Sequence, residues 1–175
     1  DDGGNRFSQI FFASGGMGAS PVADGHSCTA FPTNSGSGSI EAFESLAPLL
    51  VWKKEFRTDS GGAGQFMGGL GQEVEIEITA EDDVRLSMMS DRQKYAAKGL
   101  LGGLEGAKVE IDKSDGTKPH PKARSVLAPG DKLTLRFGGG GGYGPPDARD
   151  PDAVQNDLRN GYITAEYAKR HYGIE

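Results

Sequence analysis

Residues 73–79 read Glu73-Val74-Glu75-Ile76-Glu77-Ile78-Thr79, the clearest periodic pattern in the chain. Strict alternation of apolar and acidic side chains predicts a β-strand whose apolar face is buried. A slip of one residue in the pairing register would bury all three carboxylates, so the register should be firmly set. Three like charges on one strand face repel one another, so we expect that face to be solvated or opposed by basic residues.

Working outward from this strand, the sequence predicts several more short strands separated by Gly, Pro and Asp turns. A strand is expected at 84–88 after the turn Glu81-Asp82-Asp83, which would join it to the first as a hairpin, and Asp115-Gly116 is a second hairpin signal. The remaining predicted strands are 6–13, 49–57, 109–111 and 133–137. A helix that starts near Glu41 should end before Pro48. This pattern predicts a mainly β (α+β) fold, either a sandwich or an irregular barrel of short strands with Gly-rich loops.

The C-terminal residues predict a helical hairpin. Asp150 is placed to cap a helix that begins at Pro151 and stops at Gly161, and Thr164 starts a second helix that ends before Gly173. We therefore divide the chain into a Gly-rich β domain, residues 1–146, and a C-terminal helical hairpin, residues 147–175.

Composition excludes several classes of function. The net charge of −6 is opposite to the basic footprint that nucleic-acid phosphates require. No apolar run approaches the length that spans a bilayer, so we expect no membrane partner. A single Cys forms no internal disulfide, which favours a reducing compartment. Because the chain opens Asp1-Asp2-Gly3-Gly4 without an initiator Met, we expect it to be the interior of a longer protein.

The run Gly138–Gly142, followed by Tyr143-Gly144, matches the G-x-G-x-x-G pattern of dinucleotide-binding loops. The nucleotide interpretation requires a helix N-terminus directly after the glycines and an acidic residue about 20 residues further on. Two prolines follow instead, and residue 164 is Thr. We therefore favour a tightly packed loop in which backbones approach closely.

Other candidate groups have simpler structural interpretations. His26 and Cys28 form the one soft-ligand pair of the sequence, but a structural zinc site needs about four ligands, so we predict no metal site. Ser90-Asp91-Arg92 closes a strand, and its Asp-Arg pair either binds an anion or, as we prefer, braces a loop. The sequence contains no catalytic constellation that stands alone, and the catalytic residues stay unassigned.

A set of unusual segments nevertheless follows a specific order. The segments are 14–19, 23–25, Phe31-Pro32, 40–44 with 47–49, 57–64, Gly68–Gly71, Ser90-Asp91-Arg92, Gly99 with Gly102-Gly103, 127–131, Gly139–Gly144, Arg149-Asp150-Pro151 and Tyr172-Gly173-Ile174. Over essentially all of its length this series resembles the C-terminal part of the hydantoinase B/oxoprolinase family, the B-type subunit of N-methylhydantoinases.

The resemblance implies cytoplasmic, ATP-dependent ring opening of hydantoins or 5-oxoproline. It implies ATP and Mg²⁺ on a partner A-type subunit, and a longer B-type subunit whose N-terminal part holds the principal catalytic groups and any metal. Two alternatives stay open: part of an acetone- or acetophenone-type carboxylase, and a purely structural assembly module.

If this domain reaches the substrate, the candidate residues are Gly15, Gly16, Asp24, His26 and Arg92. The glycine backbone would stabilise a developing oxyanion, Arg92 would bind a phosphate or carboxylate, and His26 would serve a proton or a metal. We expect this chain to be inactive alone.

Overall fold

The structure, a computed structural model, describes residues 7–31, 33, 36 and 38–174. Within these residues, six strands and three α-helices alternate with long irregular segments that are rich in glycine. In chain order the elements are α1 Ile40–Leu46, β1 Leu49–Phe56, β2 Gln72–Ile78, β3 Val84–Ser87, β4 Glu110–Lys113, β5 Arg124–Leu127, β6 Lys132–Arg136, a 3₁₀ turn Pro146–Ala148, α2 Pro151–Arg159 and α3 Ala165–Tyr172.

Among the described residues, the strands form two open antiparallel sheets. The larger sheet has the order β1-β2-β6-β4, and β3 pairs with β5 in a separate ribbon. Leu86 and Met88, on and just after β3, pack against the core of the larger sheet, so the two sheets share one apolar layer. The predicted mainly β fold is confirmed. Of its two forms, the barrel is wrong, because the described strands leave both sheets open.

Strand β2 lies inside the larger sheet and has the predicted register. Val74, Ile76 and Ile78 are each at most 7% exposed. Val74 and Ile76 form a core with Val109, Ile111, Leu133 and Leu135. The alternation of the sequence therefore identified the core-facing side of this strand correctly.

The acidic face of β2 is opposed by basic residues from its neighbours, which is one of the two expected outcomes. Lys53 Nζ lies 3.2 Å and Arg136 Nε 3.5 Å from Glu73 Oε1. Lys132 Nζ lies 3.5 Å from Glu77 Oε2 and 3.8 Å from Glu75 Oε1. Cations on both flanking strands thus relieve the repulsion among the three glutamates.

The two predicted hairpins are wrong as strand pairings. Strand β2 pairs with β1 and β6, so Glu81-Asp82-Asp83 joins two sheets and does not close a hairpin. A turn forms at Asp115-Gly116, where Gly116 has φ +82°, but β4 pairs with β6. Strand β2 pairs with β1 and β6 in place of β3, and these two neighbours carry the cations that face its glutamates.

The strand predicted at 6–13 is also wrong over its described part, since residues 7–13 adopt no regular structure and Arg6 lies outside the described residues. Phe11 packs against the sheet core and meets the ring of Phe43 edge-on at 5.0 Å. Ile10 and Phe12 are 72% and 75% exposed. The segment is therefore anchored by one aromatic side chain and not by a strand ladder.

Irregular glycine-rich segments pack together beside the two sheets. We call them the glycine bundle: residues 15–19, 25–28, 60–64, 67–71, 97–107 and 138–144. They belong to no helix or sheet ladder, yet backbone hydrogen bonds connect them. Gly16 N–H donates to Gly138 O at 3.0 Å, Gly62 N–H to Gly140 O at 2.8 Å, and Gly140 N–H to Gly69 O at 2.9 Å.

The run Gly138–Gly142 lies buried inside the bundle with a different segment on each side. A Cβ added to each glycine in turn would crowd or overlap a backbone carbonyl oxygen, and the oxygens belong successively to Ala107, Ser60, Met17, Lys98 and Ala63. Gly139 faces Ser60 and Gly142 faces Ala63, and both partners belong to segment 60–64. The run therefore meets the same neighbouring segment at every third residue. Three residues per turn is typical of a polyproline-II helix, in which Gly fits where backbones crowd the axis. The tightly packed loop is confirmed.

The C-terminal helical hairpin is confirmed down to its caps. The Asp150 carboxylate accepts from Asp152 N–H, Thr164 Oγ1 accepts from Tyr167 N–H, and Gly173 ends α3 at φ +67°. The helices share a second core with the glycine bundle, formed by Met67, Leu70, Val154, Ile163 and Ala168. None of the described helices has the length and apolar character required to cross a bilayer.

Replacement of Gly140 by Ala should destabilise the chain severely, because the new Cβ would overlap the Met17 carbonyl and neither backbone can withdraw. We expect a loss of about 3 kcal/mol or more in urea unfolding. Gly36→Ala is the control, since nothing lies within 4 Å of its added Cβ. Equal stability of the two variants would contradict this close packing of backbones.

Candidate functional site

An ion cluster around the buried Arg149 joins three parts of the chain at one end of the glycine bundle. Arg149, whose side chain is 3% exposed, donates from Nη1 and Nη2 to both carboxylate oxygens of Asp24, each at 2.8 Å. Its Nη2 also donates to Asp157 Oδ2 at 2.7 Å. The Tyr172 ring lies against the guanidinium, with Arg149 Cζ 5.8 Å from the ring centroid. One guanidinium therefore holds a loop to both helices of the hairpin.

The charges of this cluster are mutually dependent. Burial opposes the charge of the Arg149 guanidinium, but hydrogen bonds and attraction from Asp24, and then Asp157, outweigh burial and raise its pKa. Asp24 Oδ1 also accepts from Met67 N–H at 2.6 Å, which ties the loop to the glycine bundle. Arg149 is thus a permanent cation whose partners are fixed, as planar two-pronged Arg–carboxylate pairing favours.

Local structure explains how Arg149 reaches its partners. The 3₁₀ turn Pro146–Ala148 leads into it, and Asp150 with Pro151 begins α2 directly after it. Asp157 lies on the buried face of α2 together with Val154. Sequence reasoning missed Asp157. The signal that could have identified it is an acidic residue on the apolar face of a helix, because a buried carboxylate needs a cation as its partner.

A shallow groove of about 340 Å³ opens beside this cluster. It is lined by Ala23, Asp24, Gln65, Phe66, Ala148, Arg149, Asp150 and Ala153. The guanidinium charge is already balanced by carboxylates, so the groove offers no free cation from Arg149 to an anionic ligand.

A larger groove, of about 540 Å³, runs between α3 and the bundle segment 104–107. The Tyr167 hydroxyl donates to Gly61 O at 2.6 Å, and burial raises the pKa of this phenol. The His171 ring packs on Tyr167 at a centroid distance of 4.4 Å. Burial, followed by the nearby Arg170 charge, lowers the pKa of His171 and favours the neutral imidazole at pH 7. The groove thus offers a neutral imidazole beside a protonated phenol.

Four of the five candidate residues lie within residues 15–26, a segment that contacts the glycine bundle. Gly15 and Gly16 contact segment 138–140, and Asp24 binds Met67. His26 is exposed, and its carbonyl accepts from Met17 N–H at 2.9 Å. Gly16 N–H already donates to a neighbouring carbonyl, so its amide is engaged within the bundle.

Arg92 lies on a different segment. It is exposed, has a left-handed φ of +62°, and its carbonyl accepts from Val109 N–H at 3.1 Å. Neighbouring Asp91 pairs with Lys122 Nζ at 2.5 Å. The acidic member of Asp91-Arg92 therefore binds another loop, while the Arg92 side chain extends toward solvent.

The His26–Cys28 pair has the features of a polar turn. Among the residues that the structure describes, no three His, Cys, Asp or Glu side chains are arranged to hold a metal ion. Cys28 Sγ points to Leu70 O at 3.8 Å, and burial raises the pKa of the thiol to about 11. A thiol of that kind is a weak nucleophile and a weak metal ligand at neutral pH.

The glycine run does not fit a nucleotide phosphate. A phosphate cradle needs free backbone N–H groups that converge on an open concavity. Gly140 N–H and Gly142 N–H instead donate to Gly69 O and Leu104 O, and the run is buried. We therefore assign no ATP contact to Gly138–Gly142.

Comparisons with known proteins identify relatives of the chain. The family model described as hydantoinase B/oxoprolinase matches residues 1–146. The B-type subunit of a putative D-/L-hydantoinase from Pseudomonas sp. (strain NS671) is 32% identical over 147 residues, 81% of this chain and 24% of that relative.

Two solved structures share the fold. The ATP-dependent caprolactamase from Pseudomonas jessenii is 27% identical, with a TM-score of 0.76 over 92% of this chain and 29% of that chain. Nucleotide-free acetone carboxylase is 24% identical, with a TM-score of 0.76 over 92% of this chain and 26% of that chain. The chain thus spans between 24% and 29% of the length of these three relatives.

Cys28 should react slowly with iodoacetamide at pH 8, because a pKa of about 11 leaves about one thiol in a thousand ionised. We expect the rate to rise about tenfold per pH unit up to about pH 11 and to level off above it. The same chain unfolded in guanidinium chloride is the control, and mass spectrometry measures the reaction. Fast labelling of the folded chain at pH 7 would indicate a reactive cysteine and contradict this assignment.

Arg149→Met should destabilise the chain by about 3 kcal/mol, because it leaves Asp157 buried without its cation. Arg170→Met is the matched control, since Arg170 pairs with Glu166 on an exposed face of α3 and should cost about 0.5 kcal/mol or less. Urea unfolding measures both. Similar losses in the two variants would show that the Arg149 cluster is not the anchor of the hairpin.

Proposed function

This chain belongs to the hydantoinase B/oxoprolinase family, and on that basis we propose that it is the C-terminal part of the B-type subunit of an ATP-dependent cyclic-amide hydrolase. The observation that carries the proposal is the family match over residues 1–146 together with the similarity to the B-type subunit of a hydantoinase. Hydantoin and caprolactam are both cyclic amides, so the proposed substrate class is a ring that contains an amide bond.

We assign ATP and Mg²⁺ to a partner A-type subunit. Support comes from the glycine run, which is buried and in which Gly140 N–H and Gly142 N–H donate to backbone carbonyls of the chain, and from the ATP dependence of the caprolactamase relative. We place the remaining part of the B-type subunit N-terminal to this chain, and the whole complex in the cytoplasm. Within the chain, residues 1–146 form the family domain and 147–175 the hairpin that covers one end of it.

Substrate contact is proposed through exposed side chains. Of the five candidate residues, His26 and Arg92 are exposed and carry polar groups suited to a proton and to an anion. Gly15, Gly16 and Asp24 are engaged within the bundle, so we propose that they position the loop that carries His26.

The intact complex, purified from cells through a tag on this chain, should hydrolyse ATP only when a cyclic amide is supplied. The assay measures phosphate release with hydantoin, 5-oxoproline, lactams and ketones, with and without bicarbonate. We expect ring-opened product with at least one cyclic amide, and no turnover from the isolated chain, which has no ATP contact on its glycine run. ATP hydrolysis coupled to no cyclic amide would overturn the proposal.

Two alternatives would show themselves in the same assay. Ketone- and bicarbonate-dependent ATP use would identify a carboxylase of the acetone type, an alternative favoured by the shared fold with acetone carboxylase. A structural assembly module would leave turnover intact when the exposed candidate side chains are removed.

Arg92→Ala and His26→Ala should each lower kcat/KM of the complex by about ten- to a hundred-fold. Each variant removes a protein side chain that we propose contacts the substrate, a charged one at Arg92 and a proton-carrying one at His26. Arg85→Ala is the control, since Arg85 is an exposed arginine of β3 outside the candidate set. Unchanged kinetics in both test variants would favour the assembly module.

A further inference from the structure

A tight turn at Leu100–Gly103 carries two exposed leucines. Gly103 N–H donates to Leu100 O at 2.9 Å, and the two central residues, Leu101 and Gly102, have φ of +48° and +96°. Positive φ at both central positions is the mark of a type I′ turn. Such turns strongly prefer Asn-Gly, Asp-Gly or Gly-Gly at these positions, because a Cβ with a bulky side chain is strained in the left-handed region.

Leu101 breaks this preference without compensation inside the described chain. Leu101 is 74% exposed, and Leu100 beside it is 63% exposed. Leu104, which follows the turn directly, is 39% exposed and lines the groove between α3 and segment 104–107. The left-handed backbone at Leu101 costs conformational free energy, and the exposed leucine side chains cost hydration free energy. Strain of this kind is retained where an interaction requires it.

The turn itself is rigidly held from behind. Leu100 N–H donates to Gly142 O at 2.9 Å, Gly144 N–H donates to Leu100 O at 3.0 Å, and Gly103 packs on the Gly142 carbonyl. The leucines are therefore presented on a fixed support and not on a mobile loop, which lowers the entropy lost when a partner covers them.

We propose that Leu100 and Leu101 form an apolar knob that is buried by the remaining part of the same longer subunit, an inference that rests on the proposed function. The length of the relatives argues for this occupant. This chain corresponds to 29% and 26% of the two solved chains that share its fold over 92% of its residues. A segment of the same polypeptide is tethered nearby at high effective concentration, which favours it over a separate protein.

A photo-crosslinking residue at position 101 tests the occupant directly. Benzoylphenylalanine is introduced there in the complex purified from cells, and mass spectrometry maps the product; position 126, an exposed Val on β5, is the control. We expect a crosslink from position 101 to a peptide of the same polypeptide outside these 175 residues. A crosslink to a second copy, to a separate subunit, or to nothing would overturn the proposal, whatever the complex hydrolyses.

Leu101→Asn provides a second test through the sign of its effect. Asn-Gly suits the turn, so the melting temperature of the isolated chain should rise by about 2–4 °C. In the longer subunit the same variant loses a buried leucine, so its melting temperature should fall. A residue without a partner would give a rise in both, and that result would overturn the proposal. Val126→Thr is the control, for which both contexts should shift together.

Discussion

Close approach of backbones in the glycine bundle is the constraint on which the rest of the structure depends. Carbonyl oxygens of neighbouring segments occupy the volume in which side chains would stand along Gly138–Gly142. Glycine loses more conformational entropy on folding than other residues, so this packing is stable only because backbone hydrogen bonds and buried flanking side chains offset that loss. Leu70, 1% exposed, and Val154, 0% exposed, are such side chains, and both belong to the core shared with the hairpin.

The bundle also connects the two apolar cores. Segment 67–71 contributes Met67 and Leu70 to the core under the helices and continues directly into β2, an inner strand of the larger sheet. Arg57 reinforces this junction, because its N–H donates to Gly71 O and its guanidinium to the carbonyl of Lys108. The sheet, the bundle and the hairpin therefore form one continuous packing unit, in which the exposed loops that carry His26, Arg92 and Leu101 are supported from behind.

This arrangement changes what the glycine-rich sequence means for function. A run of glycines before a turn resembles a phosphate-binding loop as a pattern. Here the run is buried, and Gly140 N–H and Gly142 N–H donate to neighbouring carbonyls, so we assign it a structural role. The polar chemistry of the domain lies instead at its surface, in the two grooves and on the exposed side chains. A domain built in this way is suited to contribute a rigid wall to a larger enzyme, consistent with relatives in which it makes up about a quarter of the chain.

Local patterns in the sequence determined the register of β2, the helical hairpin with its caps at Asp150 and Thr164, and the close packing of the glycine run, because periodicity, capping and the absence of Cβ act within a few residues. The family resemblance was also present in the order of the segments. Strand partners, the pairing of Arg149 with Asp24 and Asp157, and the left-handed turn at Leu101 were decided only by the tertiary structure. Arg149 and Asp24 are 125 positions apart in the chain. Their contact depends on how distant segments pack in the folded chain, and a pattern that spans a few residues does not encode that packing.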